Sequence, residues 1–165
     1  MRARSLSRFA MVAFAGAALG CYESALPLDP TPQVPTDARF LGAWRCVGPG
    51  ANEEAISITL AASTKTSYAI TWEESGEKPE LYEGHVSSLK GSIIFNFRKL
   101  PAAPAAHWFF VRVVPLEANV ALIQMVHEEL LEGLDRGAVK RTLEQQRGNP
   151  ALYEKEPLVC IRAVN

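Results

Sequence analysis

Residues 40–47 read Phe-Leu-Gly-Ala-Trp-Arg-Cys-Val, and residues 158–164 read Leu-Val-Cys-Ile-Arg-Ala-Val. Both runs are short, β-rich and apolar at alternating positions, which predicts strands rather than helix turns. They also share a numerical property. In an antiparallel pair the numbers of facing residues have a constant sum. Cys46 with Cys160 and Trp44 with Arg162 both sum to 206. If the first and last of an even number of antiparallel strands meet, one register would pair the two cysteines and put Arg162 opposite Trp44. Period-two geometry puts all four side chains on one face. For the first and last strands to meet in this way, the sheet between them must close.

The sequence between these runs supports closure. After Gly48-Pro49-Gly50, strands are predicted over 55–60, 67–72, 81–87, 92–97, 107–114 and 120–127. The connections carry turn residues: Gly76 and Pro79, the pair Lys90-Gly91, Pro101 and Pro104, and Asn119. Asp135 is a candidate N-cap for a helix over 136–147, with Gly148 as its stop. The expected fold is mainly β: eight antiparallel strands closed into a barrel, with a helical segment before the last strand. A two-sheet sandwich is the alternative. Leu134, Ala138, Val139 and Leu143 form a narrow apolar stripe on the helix. Because the first and last strands are apolar on both faces, the helix is expected to cover them from outside.

Gly42-Ala43-Trp44 on the first strand resembles the Gly-x-Trp of lipocalins and related small barrels. In that group an arginine of the last strand packs over the tryptophan, and the resemblance assigns this place to Arg162. Gly42, Trp44 and Arg162 are then a structural signature. The chain departs from the group in placing its helix before the last strand rather than after the barrel.

The N-terminus is of a different kind. Arg2, Arg4 and Arg8 precede an apolar or small run from Phe9 to Leu19, which is the layout of a secretory signal peptide and too short to span a bilayer. Ala17-Ala18-Leu19-Gly20-Cys21 resembles a bacterial lipobox, which implies export, cleavage before Cys21 and a lipid on its thiol. The match is incomplete, since lipoboxes usually carry Leu where Ala18 stands and a small residue where Leu19 stands. Pro27, Pro30, Pro32 and Pro35 suggest a semi-extended tether over 21–38. The expected organisation is a signal peptide over 1–20, that tether, and a barrel domain over 39–165. The expected location is the cell envelope, on a periplasmic or outer membrane face. With Cys21 lipidated, Cys46 and Cys160 remain as an even pair in an oxidising compartment, where a disulfide is expected.

Composition excludes several classes. The chain has 165 residues, 48% of them hydrophobic, and a formal net charge of −1. That apolar content supports a packed core, and the balanced charge gives no basic footprint for nucleic acid. No GxSxG elbow, glycine-rich phosphate loop or HExxH motif is present, so no catalytic residue is assigned and no enzyme activity or cofactor is expected. His85, His107 and His127 fall on three different predicted strands without ligand spacing, and no metal site is assigned. Tyr68, Phe95, Phe97, Trp108, Phe109 and Phe110 lie on the central strands, on alternating faces. They are the candidate lining of a ligand cavity in a small barrel. The expected partners are a membrane, through the lipid, and a small apolar ligand. A filled barrel that docks an envelope protein is the alternative.

Overall fold

A computed structural model describes residues 23–49, 54–102, 107–127 and 130–163. Cys21 and the segment expected to be a signal peptide lie outside the described residues. A two-residue strand, β1 (Glu23–Ser24), precedes β2 (Gly42–Val47), β3 (Ile56–Ala62), β4 (Tyr68–Glu73) and β5 (Glu80–Leu89). Then come β6 (Ser92–Leu100), β7 (Trp108–Glu117), β8 (Val120–Met125), the helix α1 (Arg136–Gln146), a 3-10 turn at Pro150–Leu152, and β9 (Leu158–Arg162).

Each of β2 to β9 pairs antiparallel with its neighbour in sequence, and β9 pairs back onto β2. The sheet is thus a closed eight-stranded barrel with one helix before its last strand, not a sandwich. Alternation explains the wall: Trp44, Ile58, Ile70, Val86, Phe95, Val111 and Ala121 are buried on its inner face. The β5–β6 hairpin turns at Lys90 and Gly91, both at positive φ (47° and 88°), the conformation that matches two-residue hairpins to strand twist.

The closing seam has the register expected from residue numbers, with Trp44 opposite Arg162 and Cys46 opposite Cys160. Cys46 and Cys160 form a disulfide, with Cα atoms 4.0 Å apart. The Arg162 guanidinium lies 4.7 Å from the Trp44 ring centroid. Gly42 sits at φ +109°, which side-chain-bearing residues rarely adopt, and a Cβ there would stand 3.5 Å from Arg162 Nη1.

Two expectations are corrected. Helix α1 does not cover β2 and β9. Its buried Val139 and Leu143 pack with Leu89, Ile94 and Phe110, which point outward from β5, β6 and β7. Those outward apolar residues offer a better dock than β9, whose Ile161 remains 54% exposed. Nor do residues 23–38 form a free spacer. Ser24 pairs with Trp108, Leu28 is buried beneath α1, and Val34 packs on the barrel core. After Ser24 the segment bends at residues 25–26, 28–31 and 34, and its apolar anchors Leu28 and Val34 hold it against the barrel wall.

Candidate functional site

Strand direction gives the barrel two unlike ends. At one end lie the Lys90-Gly91 turn and the approach to β2. Phe40 sits at this end, held edge-on to Phe95 at 5.4 Å, and with Trp44 and Ala121 it also borders a second space of about 290 Å³ beside Arg39 and Leu116. Its carbonyl accepts the Trp44 indole N–H at 2.9 Å. Tyr68 packs beside Phe95 at 5.2 Å, and its hydroxyl accepts the Asp37 amide at 2.7 Å. The opposite end, where β5 and β7 begin and β4 and β6 finish, carries half-buried Trp72, Tyr82, Phe97 and Met125. We call it the mouth.

Between the two ends lies a hole of about 80 Å³. Every side chain around it is apolar or a disulfide cysteine; Trp44, Ile70, Phe95, Phe97, Val111 and Ala121 are representative. For comparison, a dry apolar cavity of about 150 Å³ accepts benzene. The mouth is different in character. By alternation Tyr82 and Lys99 share the inward face with Phe97. The Tyr82 hydroxyl donates to Glu80 at 2.5 Å and the Lys99 ammonium also bonds Glu80. The Lys99 ammonium, helped by that hydroxyl, holds the Glu80 carboxyl below the usual range. A small apolar interior therefore lies beneath a rim that carries the polar group Glu80, Tyr82 and Lys99.

The six aromatic residues expected to line a cavity divide. Phe95 and Phe97 line the hole. Tyr68 is buried beside it, at the Phe40 end. Phe109 stacks on Phe97, centroids 5.4 Å apart, without reaching the hole. Trp108 and Phe110 point outward, because residues flanking Phe109 on a strand must face the other way. Phe110 joins the core beneath α1. Trp108 meets the His85 ring edge-on at 5.5 Å and the Arg98 guanidinium at 4.9 Å. The lining residues not singled out from sequence include Ile58, Ile70, Trp72, Val111 and Ile123. Period-two counting from Trp44 and Phe95 would have found them.

A second polar group lies outside the barrel, under the strap. Asn96, fully buried, accepts the Leu28 amide at 2.8 Å and donates to the Ser87 hydroxyl at 3.0 Å. Lys140 of α1 donates to Asp29 at 2.7 Å. Burial raises the Asp29 carboxyl, but bonds from Lys140 and Ser87 together outweigh it and leave the carboxyl lowered. Burial pushes the His85 imidazole down, only partly offset by Asp29. Its Nε2 has no hydrogen-bond partner among the described residues. These groups tie strap, sheet and helix together.

Among the described residues no group of three or more His, Cys, Asp or Glu is placed to hold a metal ion. No family model, curated protein or solved structure matches this chain.

Proposed function

We propose that this chain is an exported envelope protein, anchored by a lipid on Cys21, whose barrel binds a small apolar ligand or the apolar end of a larger one. The observation that carries the ligand reading is the hole of about 80 Å³ lined only by apolar side chains and disulfide sulfur. A void of this kind forfeits dispersion contacts that an apolar guest would restore. Its size favours a few carbons rather than a bulky ring system.

A series of linear alcohols tests this. Each methylene taken from water into the hole is worth about 0.8 kcal/mol, or about four-fold in Kd. Affinity should climb by that factor per carbon, then level off once the hole is full. Ala121→Leu, which grows into the hole, should bring the plateau to a shorter chain. Affinity that ignores chain length would remove the ligand reading.

The second reading is a protein-docking barrel. It is favoured by the uncovered outer face, where Val47, Val159, Leu122 and Val114 are consecutive cross-strand neighbours on β2, β9, β8 and β7. Partner binding lost on Val159→Asp but insensitive to Ala121→Leu would favour it.

A further inference from the structure

The docked strap has a geometric consequence for any lipid on Cys21. Cys21 is two residues before Glu23, and two peptide steps span at most about 7 Å. Glu23 is opposite Phe109 and Ser24 opposite Trp108, at the start of β7. That is the mouth end. Any lipid on Cys21 is therefore tethered within two peptide steps of Glu23, because the chain that follows is held by Leu28, by the Leu28 amide on Asn96, and by Asp29 on Lys140.

The same end presents exposed apolar side chains. Leu81 and Leu100 are cross-strand partners at the mouth ends of β5 and β6, 54% and 36% exposed. Leu26, two residues beyond Ser24, is 49% exposed. Half-buried Trp108 lies at this end too, with Arg98 across its ring and Glu83 paired to Arg98, and the β4–β5 turn adds exposed Glu74, Glu77 and Lys78. Leucines that enter the acyl boundary, and an indole and guanidinium that stay at its polar edge, are the side chains an interfacial contact uses. Arg98 and Lys99 are paired with Glu83 and Glu80, and Glu74 and Glu77 of the β4–β5 turn add negative charge at this end, so the match is to a zwitterionic bilayer interface and not to anionic headgroups.

We infer that the barrel rests mouth end down on the bilayer, with Leu26, Leu81 and Leu100 in the interface and the mouth opening toward the lipid. This rests on the lipid-anchor reading and adds an orientation to it. The orientation gives an apolar group a path from the acyl region to the barrel interior that never crosses bulk water. Leu116 supplies a control, being 54% exposed but at the far end of β7.

The test uses the full lipidated protein in phosphatidylcholine vesicles, with bromine on the acyl chains near the headgroup as a short-range quencher. Leu100→Trp and Leu116→Trp each add one exposed indole, and the emission added over wild type is followed. Bromolipid should quench the Leu100→Trp emission several-fold more than the Leu116→Trp emission. Equal quenching, or none for either, in protein that floats with the vesicles and carries the lipid mass on its N-terminal peptide overturns the orientation and leaves the anchor standing. Wild-type protein without that mass overturns the anchor, and the orientation with it.

Discussion

Arg162 reaches across Trp44 to hold the chain that leads into the barrel. Its guanidinium carbon is 4.7 Å from the indole centroid. Nη1 donates to the Leu41 carbonyl at 2.7 Å and Nη2 donates to the Arg39 carbonyl. A single planar cation thus joins the last strand, the first long strand and the segment before it. Such a fork is not reproduced by an ammonium.

Arg162→Lys is expected to lose most of what Arg162→Ala loses. The cation–π contact contributes about 0.5–2 kcal/mol and charged hydrogen bonds about 1.5–3 kcal/mol each, with incomplete additivity. A loss of about 2–4 kcal/mol should appear as a lower urea midpoint for both variants. A lysine variant as stable as wild type would show that charge alone suffices there.

The disulfide closes the same seam. Cys46 and Cys160 are 114 residues apart, and a cross-link of that span restricts the unfolded chain by about 4–5 kcal/mol in the chain-entropy picture. Cys46→Ala with Cys160→Ala should lower unfolding free energy by an amount of that order, with the barrel still formed at low temperature. Calorimetry of the double variant beside wild type measures it. A change under about 1 kcal/mol would mean that the unfolded chain is already compact at this seam.

Helix α1 can be located by contrast. Leu143 is 1% exposed beneath the helix, whereas Ile161 is 54% exposed on the outer face of β9. Leu143→Asp buries an unpaired charge and should cost about 3 kcal/mol or more. Ile161→Asp should stay within about 0.5 kcal/mol. Thermal melts of the two variants settle the placement, since a helix lying over β9 would make Ile161→Asp the damaging change.

Much of this architecture was legible because strands announce themselves by period two and turns by Gly, Pro and Asn. The seam register was readable from four residue numbers, because an antiparallel pair has one free parameter. The Asp135 cap was readable too, and its carboxylate accepts the Ala138 amide at 2.8 Å. The helix's docking site was not. A stripe such as Val139 and Leu143 says which face is buried, while the surface that receives it depends on outward residues of distant strands such as Leu89, Ile94 and Phe110. The strap was misread for a related reason. Proline density predicts extended backbone, but whether that backbone is free depends on Leu28 and Val34 finding partners far away in sequence. Within the candidate site, the run Trp108-Phe109-Phe110 looked like cavity lining by composition. Alternation sends Trp108 and Phe110 outside, and the rest of the lining, mostly aliphatic with Trp72, has no signal beyond its parity.

His85 gives the strap a dependence on pH. Its imidazole is buried against Trp108, with Asp29 and Glu83 as its nearby carboxylates and Lys140 bonded to that same Asp29. Burial outweighs the carboxylates, so the folded protein takes up a proton less readily than the unfolded chain, whose histidine titrates near 6.5. Between that value and the lower folded one, the unfolded state binds more protons, and stability falls as pH falls. Asp29 acts in the same direction in a separate window. Its folded value lies below 3.8, so its contribution is present above that pH and is lost in stronger acid. Between pH 7 and pH 5 the change is therefore mainly the histidine's, with Glu80, lowered from its ordinary 4.5, entering only near the lower limit. Urea midpoints for wild type should decline across it. His85→Gln, which stays neutral, should show a flatter profile there while keeping the loss below pH 4. A variant that declines as steeply as wild type between pH 7 and pH 5 would assign the effect to a group other than His85.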